Sequence, residues 1–159
     1  MKGIFLLLGT NLGDRKQNLR NAKKAIDKEI GQIISSSKIY ETEAWGEEEQ
    51  PKYLNQVIEI KTKKSPFDIL HKTLEIETQL GRKRFQKWES RIIDIDILFY
   101  HDEFIHTPEL TIPHPQIKNR LFTLIPLNDL VGDLHFPGEN ETVSAVLKKC
   151  PDSLVVTEY

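Results

Sequence analysis

A chain of 159 residues, 38% hydrophobic and 29% charged, has the size of one domain built on one core, and a single domain over residues 1–159 is expected. Its 22 basic and 24 acidic side chains leave a formal net charge of -2, without the basic excess of proteins that coat nucleic acid, so no nucleic-acid partner is expected and any anion site must be local. The longest apolar run near the start, Ile4 to Leu8, is too short for a bilayer span or a secretory signal, so no membrane partner and a cytoplasmic location are expected.

Ile4 to Leu8 reads as a strand buried on both faces, followed by turn formers from Gly9 to Asp14. A helix capped by Asp14 should follow, with Leu19, Ala22, Ile26 and Ile30 on one side and Gly31 as a left-handed stop. Ile33 to about Thr42 reads as a second strand with a polar side. The stretch from Glu43 to Lys52 has no helical or strand period and is long for a simple connection, which makes it a candidate lid. Leu54 to Thr62 is the third strand. Ser65-Pro66 caps a helix that runs to about Leu80, buries Phe67, Leu70 and Leu74, and stops at Gly81. After an irregular stretch from Arg82 to Arg91, the alternation of Ile93 to Phe99 marks a fourth strand.

The order strand, helix, strand, strand, helix, strand is the ferredoxin-like βαββαβ arrangement, an α+β fold. The remainder predicts a C-terminal hairpin around His101 to Ile112 and a helical extension: turns within Pro115 to Leu130 and an amphipathic segment carrying Val143, Val146 and Leu147. The single cysteine, Cys150, reads as a small buried hydrophobe. No exposed apolar stripe stands out, so a monomer is expected.

Residues two apart in a strand share a face and lie about 6.5 to 7 Å apart, so Asp94 and Asp96 project together. Such a pair can hold hard cations such as Mg²⁺ against phosphates, although one wet sheet face would also show this pattern. The preceding stretch carries five basic residues, Arg82, Lys83, Arg84, Lys87 and Arg91, against one acidic residue, Glu89. Guanidinium groups beside carboxylates suit phosphoryl transfer, while a solvated surface loop is the plainer alternative. His114 stands between Pro113 and Pro115, with Lys118 and Arg120 close behind. These residues could complete an anion-binding wall. Trp45, Tyr53 and Phe122 lie off the regular core spacing and could stack on a flat heterocycle, although core packing is the commoner fate of such rings. The stretch Gly9-Thr10-Asn11-Leu12-Gly13 lacks the spacing of either glycine-rich phosphate motif and reads as a tight turn.

Together, Leu8 to Gly13, Gln50-Pro51-Lys52-Tyr53-Leu54-Asn55, Glu77 ahead of Leu80-Gly81-Arg82, Arg91-Ile92-Ile93-Asp94-Ile95-Asp96-Ile97, Leu110 to Pro115, and Asn119-Arg120-Leu121-Phe122 carry a resemblance. The chain resembles the 6-hydroxymethyl-7,8-dihydropterin pyrophosphokinases over nearly its whole length. The resemblance implies transfer of pyrophosphate from ATP, as co-substrate, to the hydroxymethyl group of the reduced pterin in folate synthesis. It implies two Mg²⁺ ions on Asp94 and Asp96, and catalytic roles for those two residues with Arg82 and Arg91. On the ATP side it implies Glu77, Arg82, Arg84, Trp88, Arg91, Ile97, Thr111, His114 and Arg120. Around the pterin it implies Thr42, Trp45, Tyr53, Asn55, Asp94 and Phe122. The chain departs from the family pattern at Glu89-Ser90, where the family shows Gly-Pro, at Leu74 and at Glu43-Ala44. The alternatives are a different two-metal phosphotransferase that releases ADP, a ferredoxin-like binding module and an inactive family member.

Overall fold

In the computed structural model, which describes residues 2–43, 50–81 and 92–159, the N-terminal apolar run forms β1 (Ile4–Thr10), buried at every position. Its neighbours explain that burial: β1 pairs antiparallel with β4 (Tyr53–Lys61) on one side and β5 (Asp94–Tyr100) on the other. Successive side chains along a strand point to opposite faces, so β1 feeds two cores. Ile4, Leu6 and Leu8 pack with residues of α1 (Arg15–Glu29) and α2 (Pro66–Gln79) on one face. Phe5 and Leu7 pack on the other with α3 (Leu121–Val131) and α4 (Val143–Lys148).

The sheet runs β5-β1-β4-β3, with β2 (Gln32–Ser36) also on β4 and β8 (Val156–Glu158) outside β3 (Tyr40–Thr42). Counting β2 and β3 as one edge element, this is the expected ferredoxin-like order. The expected hairpin is β6 (Ile105–His106) against β7 (Thr111–Ile112), and one 3-10 turn over Ile117–Asn119 leads into α3. None of the described helices is long and apolar enough to cross a membrane.

The α1 signals act as read. Asp14 accepts from the Gln17 amide at 3.0 Å, and Leu19, Ala22, Ile26 and Ile30 are all buried. Gly31 corrects the reading, because its φ is not positive and it is no left-handed stop. It is needed for close approach: a Cβ there would lie 2.5 Å from the Lys61 carbonyl oxygen on β4. The strand expected over Ile33 to Thr42 is two strands. Ser37 interrupts the ladder, its Oγ accepting from the Val57 amide at 2.9 Å and its carbonyl from Gln56 Nε2 at 2.8 Å.

In α2, Ser65 caps as expected, accepting from the Asp68 amide at 3.2 Å, and Gly81 adopts φ 99° at the far end. The buried stripe is Ile69, Thr73 and Ile76, displaced from the expected Phe67, Leu70 and Leu74. Thr73 can hold the central place because its hydroxyl donates to the Leu70 carbonyl at 2.8 Å. Phe67 and Leu70 pack at the margin of the core, and Leu74 is half-buried. The outer strand β8 was not expected, since three residues of mixed polarity carry no period and their pairing to the β3 edge is tertiary.

Candidate active site

Strand register assembles the first part of the site. One rung across four strands reads Tyr40, Asn55, Gly9 and Asp94, and two rungs along Leu7 faces both Val57 and Asp96. Residues directly opposite in antiparallel strands share a face. Leu7 and Val57 belong to the core under α3, so Asp94, Asp96 and Asn55 all look toward α3, whereas Ile95 and Ile97 look toward α1 and α2. Asp94 and Asn55 stand two strands apart, about 10 Å between backbones. The residue between them has no side chain, and a Cβ on Gly9 would lie 2.9 Å from Asn55 Oδ1 and 3.8 Å from Tyr53 Cδ1. Asn55 therefore leans over the bare backbone of Gly9.

The opposite wall comes from the segment entering α3. The His114 amide donates to the Leu98 carbonyl at 3.0 Å, which ties this segment to β5 two residues beyond Asp96. His114 Nδ1 accepts from the Gln116 amide at 3.2 Å, so the proton of the neutral ring sits on Nε2. Burial, reinforced by the positive charge of Arg120, lowers the His114 pKa to about 4. The ring is thus neutral near pH 7. Burial also lowers the Arg120 pKa, while Asp96 and Asp152 oppose that shift. The Arg120 guanidinium lies 5.4 Å from the centre of the Phe122 ring.

Glu77 sits behind this face rather than in it. It is 2% exposed, and its Oε2 accepts from the Ile95 amide at 3.0 Å. Because β5 is an outer strand of the sheet, Glu77 supplies an acceptor on the edge away from β1, at the residue between the two aspartates. Thr42 shares the Tyr53 rung, and its Oγ1 donates to the Val155 carbonyl at 3.2 Å. Ile97 is buried on the α1/α2 face, away from the aspartates, and Thr111 lies on β7 opposite His106. Trp45, Arg82, Arg84, Trp88 and Arg91, with most of both expected loops, lie outside the described residues.

The structure thus gathers Asp94, Asp96, Asn55, Tyr53, His114, Arg120 and Phe122 at one end of the α3 face. Sequence reading treated Gly9 as part of a turn only; its position opposite Asn55 needed the register. The turn itself is structural: Asn18 Nδ2 donates to the Leu12 carbonyl at 2.7 Å and to Thr10 Oγ1 at 3.1 Å, and Gly13 adopts φ 69°. Among the described residues no group of three or more His, Cys, Asp or Glu side chains forms a metal cage. A pair of carboxylates on one strand face is instead a donor set that suits Mg²⁺, which binds through one or two carboxylates plus substrate phosphates and water.

Comparison with known proteins bears on the family and the fold. Residues 5–132 match the family described as 7,8-dihydro-6-hydroxymethylpterin-pyrophosphokinase (HPPK). The chain is 39% identical over 142 residues to the 2-amino-4-hydroxy-6-hydroxymethyldihydropteridine pyrophosphokinase of Bacillus subtilis, covering 89% of this chain and 83% of that protein. It is 41% identical over 137 residues to the protein of the same name from Aquifex aeolicus, with 86% and 85% covered. Among solved structures, wild-type Plasmodium falciparum HPPK-DHPS with pteroate superposes with a TM-score of 0.74 at 18% identity, over 92% of this chain. The chain spans 44% of that longer protein, and the likeness is one of fold. On the family match and the curated relatives, the chain belongs to the 7,8-dihydro-6-hydroxymethylpterin-pyrophosphokinase family.

Proposed function

We propose that the sheet face beside the start of α3 is where this pyrophosphokinase works, moving a pyrophosphoryl group from ATP to the hydroxymethyl group of 6-hydroxymethyl-7,8-dihydropterin in folate biosynthesis. The observation that carries the siting is the Asn55–Gly9–Asp94 rung. It sets a hydrogen-bonding amide and a carboxylate on one face with backbone alone between them. In this reading the flat pterin lies over Gly9, Asn55 and the Thr42 strand read its edge, and Tyr53 and Phe122 cover its faces. Asp94 then faces the hydroxymethyl group.

Asp94 and Asp96 would hold Mg²⁺, two ions in this reading, which supplies charge neutralisation for the phosphates and polarisation of the attacking hydroxyl. Arg120 contributes a fixed cation for the phosphate oxygens, and His114 a single neutral donor through Nε2. Arg82, Arg84, Trp88 and Arg91, and Trp45 on the pterin side, are assigned from the resemblance. No protein nucleophile is needed. The pterin oxygen bonds to the β-phosphorus, the bond from that phosphorus to the α-phosphate breaks, AMP leaves, and the hydroxyl proton passes to solvent. The chain would act as a single domain and a monomer in the cytoplasm.

The test is to incubate the protein with ATP, Mg²⁺ and the reduced pterin and identify the nucleotide product by chromatography. AMP with pterin diphosphate is expected. ADP would point to another phosphotransferase, and unchanged ATP to a binding module or an inactive relative; either would overturn the reading.

A further inference from the structure

Arg120 and Phe122 flank the first residue of α3, so the start of this helix sets both side chains. That start lacks a local cap: Arg120 occupies the N-cap position in an extended conformation, and its side chain makes no capping hydrogen bond. A helix N-terminus presents amides that need partners. The partner comes from 31 residues further on, where Asp152 Oδ2 accepts from the Leu121 amide at 2.9 Å. Asp152 Oδ1 accepts from the Leu154 amide at 3.0 Å, so both carboxylate oxygens are engaged. The same tail continues to the Val155 carbonyl, which takes the Thr42 hydroxyl, and to β8 on the edge of β3.

We propose that Asp152 is a positioning residue of the site, capping α3 from outside the helix and holding Arg120 in place for the phosphates of ATP. The proposal rests on the functional reading above for the role of Arg120. Asp152 is also one of two carboxylates whose charge supports the half-buried Arg120, the other being Asp96. The two differ in duty. Asp96 shares a sheet face with Asp94, whereas both Asp152 oxygens accept backbone amides. Asp152 lies beyond the segment that matches the family model, residues 5–132.

Two variants separate the capping from the charge. Asp152→Asn keeps one oxygen to accept from Leu121, since asparagine caps helices about as well as aspartate, but it removes the charge that supports Arg120 and the acceptor for the Leu154 amide. Asp152→Ala removes both. Steady-state kinetics with ATP and pterin varied separately are combined with amide hydrogen exchange at Leu121 in the ligand-free protein. For Asp152→Ala the expectation is exchange at Leu121 faster by about tenfold or more, and KM for ATP raised by about tenfold with KM for pterin within twofold. For Asp152→Asn, exchange should stay near wild type while KM for ATP still rises several-fold. General loosening of the fold would instead raise both KM values together, and that result would overturn the proposal. So would ATP kinetics within twofold of wild type in a folded Asp152→Ala. Should that variant not fold, Asp152→Leu takes its place as the variant without a cap, and wild-type ATP kinetics there with faster exchange at Leu121 would overturn the proposal. If the unaltered protein makes no AMP, the functional reading falls, while exchange at Leu121 still decides the capping role.

Discussion

Acidification isolates the partly buried imidazole of His114. Burial and the charge of Arg120 take its pKa from 6.5 to about 4 in the folded chain, and unfolding returns it to its ordinary range. Between those values the unfolded chain binds a proton that the folded chain does not. The stability tied to the neutral ring is therefore whole above pH 6.5, is lost as pH falls through the window toward 4, and levels off below it. Each tenfold difference in proton affinity corresponds to about 1.4 kcal/mol, so the loss approaches about 3 kcal/mol. Carboxylates titrate in the same range, which makes the comparison with His114→Gln necessary, because they act on both proteins alike. Urea unfolding of the two proteins from pH 7 to pH 4 should show the wild type losing about 3 kcal/mol more than the variant. An imidazole that titrates near 6.5 by NMR, or pH profiles parallel to within about 0.5 kcal/mol, would refute the reasoning.

Three further outcomes are expected. Asp96→Ala should retain the fold, as its circular dichroism would show, and lose Mg²⁺-dependent transfer by about a thousandfold or more; normal turnover at saturating Mg²⁺ would sink the metal assignment. Gly9→Ala should raise KM for pterin by tenfold or more with KM for ATP unchanged, because the new methyl carbon falls 2.9 Å from Asn55 Oδ1; equal effects on both KM values would place the pterin elsewhere. Gly31→Ala should destabilise by about 1 to 3 kcal/mol in urea unfolding without altering either KM, since its Cβ meets the Lys61 carbonyl at 2.5 Å.

Local patterns carried the core of the fold. Full burial of β1 follows from a five-residue apolar run, α1 from its 3.6 spacing, and α2 from Ser65-Pro66. What the chain did not disclose depends on partners distant in sequence. Ser37 breaks a strand because Val57 and Gln56 lie beside it, and β8 is a strand because the edge of β3 is open to it. In α2, neighbouring stripes of apolar residues compete, and a threonine that satisfies its own hydroxyl won the buried place. At the candidate site, period two put Asp94 and Asp96 on one face, as the register has them, the Pro113-His114-Pro115 setting drew attention to His114 and Arg120, and the resemblance supplied Asn55. That Glu77 reaches the Ile95 amide, or that Asp152 reaches Leu121, has no local signature.

The four-strand rung has an evolutionary corollary. Because strand side chains alternate, sliding β4 by one residue along β1 would turn Asn55 toward the α1 helix and bring Gln56 to the α3 face. The same slip would also reverse Leu54, Val57 and Ile58, which fill the two cores. Specificity and foldability are thereby encoded in one alignment of strands, and neither can be altered alone. Single-residue insertions or deletions within β1, β4 or β5 should be purged as folding defects before any change of substrate could be selected. Length variation among relatives should therefore fall in the connections between strands, where the chain can vary without shifting Asn55 relative to Asp94.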